Sequence, residues 1–297
     1  GKSDFGVLGG FDLDLEKIGL VGMGLMGQAF IKNLHNANYV VQGFDPDGRR
    51  MDQLAGAGGI PVDTPAEAAK DVKCMIISLP TSDITREVML TTGGIAYGGT
   101  EGLFVCDTTT SLPEDSEYLH EHLKKQGINY LDTAVSGTST MAETGDLVII
   151  AGGDEGSFKA CEKYFNGFAR VAHYMGPAGA GARTKLIINL ILAGNRLALA
   201  EGLVMAEKIE LETSNLLEVL KDSACSSKTM EDKGPKMINA DYSMQGKVKN
   251  GLKDSRLMMN MGQKAGSPTM MIQVYSQIMQ AAFEKGYGEH DTVAFYE

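Results

Sequence analysis

Ile18-Gly-Leu-Val21-Gly22-Met23-Gly24-Leu25-Met26-Gly27-Gln-Ala-Phe-Ile31 decides the fold of this chain. A short run containing β-branched residues, Lys17–Val21, feeds a Gly-x-Gly-x-x-Gly turn that opens at once into a helical pattern. The first glycine permits the tight turn, the second lets backbone approach a pyrophosphate, and the third lets helix pack on strand. The phosphate then rests on the helix N-terminus, where N–H groups lack partners. By itself such a pattern is weak in a chain with 37 glycines. Here a second strand pattern, Tyr39–Phe44, ends in Asp45 about 20 residues further on, where a carboxylate can hold a ribose hydroxyl. Gly22, Met23, Gly24, Leu25, Met26, Gly27 and Asp45 are therefore the expected dinucleotide contacts.

Asp45 also bears on which dinucleotide binds. A carboxylate accepts hydrogen bonds from ribose hydroxyls and repels a 2′-phosphate, so NAD is favoured over NADP. Pro46 stands where an arginine would help to hold that phosphate. Arg49 and Arg50 keep NADP open, unless they are simply an exposed first helical turn.

Outward from this motif the pattern alternates. Strands are expected at Lys17–Val21, Tyr39–Phe44, Cys74–Leu79, Leu103–Asp107, Ile128–Asp132, Leu147–Ala151 and Val171–Tyr174, with helices such as Pro65–Asp71, Pro113–Gln126 and Gly156–Asn166 between them. That alternation predicts an α/β fold with a mostly parallel, doubly wound Rossmann-type sheet. After Gly176-Pro177 the pattern is helical to the end, so an all-α C-terminal domain should follow, joined through a long helix. The methionines between Met205 and Met279 suit irregular helical cores and need no chemistry. Residues 1–15 are expected to be a tail or extension, with Gly1-Lys-Ser-Asp4 an expression remnant. Residues 16–178 would form the dinucleotide-binding domain and 179–297 an all-helical substrate and dimerisation domain.

Composition narrows the function classes. A formal net charge of -11 argues against nucleic acid, which needs clustered positive charge. Cys74, Cys106, Cys161 and Cys225 are scattered without disulfide or metal spacing, which suits a reducing cytoplasm and no metal centre. No uninterrupted apolar run approaches the roughly 20 residues that cross a bilayer, and nothing reads as a signal peptide. A cytoplasmic enzyme without membrane contact is expected.

The second half opens with Gly179-Ala-Gly181-Ala-Arg183-Thr-Lys185-Leu-Ile-Ile-Asn189. Residues four apart share a helical face, so Lys185 and Asn189 present an ammonium and an amide together. The positive end of the helix dipole would disfavour the charged amine and ease proton exchange. The helix is apolar on nearly every face and should be buried. A lysine at its mouth reads as a proton carrier, or more simply as a side chain that snorkels to solvent.

Ligands of open α/β sheets bind beyond the carboxyl ends of strands. Leu79-Pro80-Thr81 lies at one such end, as cofactor contact or ordinary turn. Asp107-Thr108-Thr109-Thr110 lies at the next; its hydroxyls could hold a carboxamide, or Thr110-Ser111-Leu-Pro113 could cap the following helix. Asp132 to Leu147, with Ser136, Gly137 and Thr138, offers backbone N–H groups and hydroxyls to an anion, or is a plain loop.

Taken together these segments resemble the β-hydroxyacid dehydrogenases over nearly the whole chain after residue 16. Gly22–Gly27 matches the family's cofactor motif, and Ser136-Gly137 its substrate loop. Lys185 matches the catalytic lysine, Asn189 the asparagine beside it, and Lys253-Asp254 a later Lys-Asp motif on a helix lining the site. Thr110 matches a strand-end threonine near the nicotinamide. The run through Ala200-Glu201-Gly-Leu-Val-Met-Ala-Glu207 is similar to the semialdehyde-reductase branch. The resemblance implies hydride transfer between NAD(P) and a small β-hydroxy acid or its semialdehyde, with Lys185 as general acid and base. It further implies that Asn189 positions the reacting oxygen, that Ser136, Gly137 and Thr138 anchor the carboxylate, and that Lys253 depresses the Lys185 ammonium by like-charge repulsion. Leu79, Pro80, Thr110, Lys253 and Asp254 would contact the cofactor, and the protein would be a homodimer or homotetramer.

Departures from the family concern the pocket. Thr138 replaces a second glycine, Met141 another small residue, and Gly246 an aromatic. Arg183, two residues before the lysine, is the expected second anion contact; Lys247 and Lys249 should face solvent. The other readings are a non-catalytic nucleotide-binding regulatory protein and an imine reductase on the same fold. Joint retention of Lys185, Asn189, Ser136 and Lys253 argues against the first, and Lys185, usually replaced in imine reductases, against the second.

Overall fold

A computed structural model of the chain describes residues 15–296, so the expected remnant and tail lie outside the described residues up to Asp14. The first half alternates strands and helices in chain order. It begins β1 Lys17–Val21, α1 Leu25–Asn36, β2 Val40–Phe44, α2 Gly48–Gly56, β3 Ile60–Pro61 and α3 Pro65–Ala68. Next come β4 Cys74–Ile77, α4 Ser82–Leu90, α5 Ile95–Gly98, β5 Phe104–Asp107, α6 Pro113–Lys124 and β6 Asn129–Ser136. It closes with α7 Ser139–Glu143, β7 Val148–Gly152, α8 Glu155–Phe165 and β8 Val171–Gly176.

The strands form one sheet in the order β3-β2-β1-β4-β5-β6-β7-β8. All neighbours are parallel except β6 and β7. This is the expected Rossmann-type sheet, and its chain order reverses between β1 and β4, where the crevice for a ligand opens. One apolar layer on the sheet gathers Ile18, Phe30, Leu34, Ile76, Leu131 and Phe165; the other gathers Val21, Met75, Ile77, Val105, Leu119 and Tyr130.

Two features of the sheet differ from the sequence reading. The short edge strand β3 was not anticipated, and Pro61 is tolerated there because an edge needs no ladder donor on its outer side. Strand β6 also runs four residues beyond Asp132. Its buried Thr133, Ala134 and Val135 pair with β7, so the first part of the supposed loop is strand.

Helices make up the second half: α9 Ala180–Lys208, α10 Thr213–Asp222, α11 Lys228–Ile238, α12 Val248–Lys264 and α13 Met270–Ala282. A 3-10 segment, Thr292–Tyr296, returns against α11, α12 and α13. Leu186, Ala193, Leu252, Met258, Tyr275 and Met279 form the core that joins α9, α12 and α13. The membrane expectation needs correction on one point. As a 29-residue helix, α9 is long and apolar enough to cross a bilayer by length and composition, with a mean hydropathy of 1.5 in its most apolar stretch. Asn189, Asn195 and Arg196 interrupt the apolar run without cancelling the average.

Candidate active site

The glycine turn builds an anion seat that the chain itself leaves free. Gly22 adopts φ 92°, and a Cβ there would lie 2.2 Å from the Ser78 carbonyl oxygen, so only glycine fits between β1 and β4. Gly27 rests against the Gly22 carbonyl and lets α1 start flush on the strand. Gly24 is the N-cap of α1, yet no atom lies within 4 Å of where its Cβ would be. No side chain caps this helix, and its first turn carries no acid. Unpaired N–H groups facing open space suit a pyrophosphate.

Asp45 ends β2 almost wholly buried, and its carboxylate knits the turn together. Oδ2 accepts the Met23 N–H at 2.7 Å and Arg50 Nη1 at 3.0 Å, while Oδ1 accepts the Asp47 N–H at 2.9 Å. The Met23 amide is thus committed to Asp45. Leu25 is half-exposed and Met26 partly buried at the same mouth. Arg49 is exposed and paired with Asp47 at 2.9 Å.

The strand ends beside this turn are tied by short polar contacts. Thr81 caps α4, its Oγ1 accepting the Ile84 N–H at 3.3 Å, which is the plain-turn reading. Thr109 Oγ1 accepts the Leu79 N–H at 3.2 Å, and Thr109 N–H donates to Asp107 Oδ1 at 2.9 Å. Burial raises the Asp107 carboxyl above its ordinary range, against the bonds from Thr109 and Tyr130. Helix α6 begins at Pro113 with Leu112 as its N-cap and no capping side chain, so neither Thr110 nor Ser111 plays that part.

From α12, Lys253 spans the crevice to these strand ends. Its Nζ donates to the Pro80 carbonyl at 3.0 Å and the Thr110 carbonyl at 3.2 Å, and lies 3.2 Å from Asp254 Oδ1. Asp254 Oδ2 accepts the Asn189 amide at 3.1 Å. Asn189, Asp254, Lys253, Pro80 and Thr110 are thereby one connected network across the two halves.

Lys185 lies one helical turn before Asn189 and is half-buried. Burial depresses its ammonium to about 8; Asp254 opposes this, and Arg196 and Lys253 add to it. The effect of Lys253 has the expected sign but is a lesser cause. The dipole explanation fails, because Lys185 is the sixth residue of a helix that starts at Ala180, and the dipole acts mainly within the first turn.

What occupies the start of α9 is Asp132. Its carboxylate accepts the Gly179 N–H at 2.9 Å and the Ala182 N–H at 2.8 Å. Burial raises this carboxyl to about 6, with those two bonds opposing. Gly179 bends the chain with φ 84°, and a Cβ on Gly181 would lie 2.6 Å from the Asp132 and Ile150 carbonyls.

Ser136 ends β6 partly exposed, Gly137 is exposed with φ 147°, and Thr138 caps α7 by accepting the Met141 N–H at 3.2 Å. Asn33 on α1 donates to the Ala142 carbonyl at 2.6 Å, fixing this loop to the cofactor helix. Arg183 is not brought to Lys185: it is half-exposed and paired with Glu117 on α6. Lys247 and Lys249 both pair with Glu289 at the surface. Sequence reasoning missed Asp132 and Arg196. Asp132 could have been flagged as a charge inside a buried strand, and Arg196 as three turns along the Lys185 face of α9.

Comparison with known proteins finds matches to both halves of the chain. A family model described as the NAD binding domain of 6-phosphogluconate dehydrogenase matches residues 17–176. Another, described as NAD-binding of NADP-dependent 3-hydroxyisobutyrate dehydrogenase, matches residues 179–297. Glyoxylate/succinic semialdehyde reductase 1 of Arabidopsis thaliana is 29% identical over 95% of this chain and 97% of that protein. The 2-(hydroxymethyl)glutarate dehydrogenase of Eubacterium barkeri is 28% identical over 94% of this chain and 93% of its own. The crystal structure of a 3-hydroxyisobutyrate dehydrogenase from Salmonella typhimurium superposes with a TM-score of 0.86. It covers 95% of this chain and 99% of that one at 23% identity, a likeness of fold.

Proposed function

The chain belongs to the β-hydroxyacid dehydrogenase family, and from that premise we propose that it interconverts a small β-hydroxy acid and its semialdehyde, with Lys185 as proton carrier. It is an NAD(P)-dependent oxidoreductase. The observation that carries the residue assignment is a half-buried amine held near 8, one turn from an amide that is itself anchored through Asp254 and Lys253 to the strand ends.

The free α1 mouth with Gly24, together with the Asp45 end of β2, fits a nicotinamide dinucleotide. When bound, that cofactor supplies or removes the hydride. The chain does the rest. In this reading Ser136, Gly137 and the Thr138 hydroxyl hydrogen hold a carboxylate at the end of β6. Lys185 gives a proton to the carbonyl oxygen during reduction and takes one from the hydroxyl during oxidation. A group titrating near the working pH serves both directions, and such transfer contributes on the order of 10²–10⁴ in rate. Asn189, oriented by Asp254, directs its remaining hydrogen-bonding capacity at the same oxygen.

NAD is the preferred dinucleotide in this reading, because Asp45 places a carboxylate where a 2′-phosphate would come. Arg50 shares that charge, so the preference is partial and NADPH is used less well. The apolar residues left exposed along α9, among them Ile187, Ile191, Met205 and Ile209, support self-association, which sedimentation would refute by a monomer at micromolar concentration.

The test is oxidation of NADH and of NADPH against glyoxylate and the succinic, methylmalonic and tartronate semialdehydes, with Lys185→Ala beside the unaltered protein. Turnover should fall about 10²–10⁴-fold in the variant while NADH still binds. Unchanged turnover in Lys185→Ala removes the lysine from the chemistry. Tight dinucleotide binding with no turnover of any carbonyl would favour a regulatory role instead. Imine reduction is the less supported alternative, and activity on a cyclic imine exceeding that on every semialdehyde would revive it.

A further inference from the structure

Arg196 stands about three turns beyond Lys185 on the same face of α9, because eleven residues at 3.6 per turn return almost to the starting direction. It is partly buried, and its charge reaches Lys185 on one side and Lys233 on the other. Its Nη1 donates to the Tyr275 hydroxyl at 3.0 Å, with the guanidinium 5.8 Å from that ring. Among the described residues, no carboxylate lies within ion-pairing distance of Arg196. Lys233 differs, since its ammonium is held by Asp291 at 2.9 and 3.0 Å and by Gln245 at 2.8 Å.

The balance of charge around the proposed proton carrier is therefore positive. Lys185, Lys253 and Arg196 act on this region against Asp254, in a chain whose formal net charge is -11. A half-buried guanidinium bonded to one neutral hydroxyl and in contact with no carboxylate, although Asp254 and Asp291 act on the same hydroxyl, retains four N–H donors for a carboxylate bound in paired fashion. Gly251 on α12 lies against the Tyr275 hydroxyl, where a Cβ would be 3.1 Å away, so the Arg196–Tyr275 pair sits directly under the helix that carries Lys253 and Asp254.

We propose that Arg196 is a specificity-determining residue that receives a second carboxylate, so that the substrate is a dianionic β-hydroxy acid or semialdehyde whose side arm ends in an acid. This rests on the dehydrogenase reading above and narrows its substrate class. One carboxylate lies at the β6 end, the reacting carbon lies at Lys185, and the arm extends along α9 to Arg196. The arm's charge replaces the missing partner of Arg196 and leaves its bond to Tyr275 in place.

The experiment is calorimetric titration of glutarate, and of pentanoate as its monoanionic counterpart, into the NADH-saturated protein, repeated with Arg196→Met and Arg196→Lys. Glutarate should bind roughly 10- to 100-fold more tightly than pentanoate, the range for a charge-assisted hydrogen bond. Arg196→Met should bring glutarate down to the pentanoate level, and Arg196→Lys should keep most of the difference. Equal binding of the two acids to the unaltered protein overturns the proposal, as does equal weakening of both in Arg196→Met. Failure of the parent reading is separable. Lysine-dependent turnover of a monoanionic semialdehyde without glutarate preference would leave the dehydrogenase standing and remove the second carboxylate. An Arg196-dependent preference for glutarate without turnover of any carbonyl would do the reverse.

Discussion

Two glycine-rich turns lead into apolar helices in this chain, Gly22–Gly27 into α1 and Gly176–Gly181 into α9, and on paper they look alike. The first leaves its helix uncapped, with open space at Gly24. The second is filled by the Asp132 carboxylate, which takes the Gly179 and Ala182 amides. A glycine turn at a helix start is a receptor for negative charge in either case. What separates a ligand site from a structural joint is whether the fold brings its own anion. β6 supplies one to α9, whereas before α1 Asp45 takes only the Met23 amide, and no side chain among the described residues caps that helix.

The comparison can be broken at either end. The largest effect is expected from Gly24→Val, which puts a branched side chain into the open space before α1 without meeting the protein. Dinucleotide affinity should fall about 100-fold or more, since several N–H contacts to phosphate go together, while the thermal midpoint stays put. Undiminished NADH binding would show that α1 is not the phosphate seat.

Next in size is the pH response of the helix whose mouth is closed. With Lys185 held near 8, reduction needs the ammonium and should be level below that pH, then drop about tenfold per unit above it. Oxidation needs the free amine and should climb towards pH 8 before levelling. A reduction rate unchanged from pH 7 to 10, with chemistry limiting, would contradict the role of this group.

Asp132→Ala addresses the filled mouth. Loss of a capping carboxylate should reduce stability by about 1–2 kcal/mol in urea unfolding, with NADH affinity left alone. A fall in affinity with no loss of stability would invert the roles of the two turns. The smallest effect belongs to Arg50→Ala, which removes a partly exposed charge beside Asp45. The NADH-to-NADPH preference should move by about two- to fivefold towards NADH, in line with exposed ion pairs. A shift towards NADPH would contradict the part given to Arg50 in offsetting the Asp45 charge.

Legibility followed the range of each contact. The glycine turn, the acid ending β2 and the lysine–asparagine pair are local patterns, and each is found where periodicity and spacing put it. Asp132 was opaque because its partners lie 47 and 50 residues away. Arg183 was favoured for an anion because it is adjacent in sequence to Lys185, but two residues along a helix point to nearly opposite faces, and Glu117 takes it. Arg196 is distant in sequence and close in direction. The dipole was overrated for a related reason: glycine marks where the chain bends, whereas the field of the helix end depends on counting from Ala180. The antiparallel extension of β6 also escaped notice, since small and hydroxylated residues serve loops and buried strands equally well.

The bonds from Asp132 to the start of α9 have a consequence for how the two halves hold together. Both neighbours of β6 place Asp132, in register with Asp107 on β5 and with Gly152 on β7, and the first turn of α9 is seated on its carboxylate. Lys185, the proposed proton carrier, thus stands on a helix whose start is fixed by the middle of the nucleotide-facing sheet. Damage to that part of the sheet is therefore expected to disturb the lysine together with the cofactor platform, so the two halves fail as one unit.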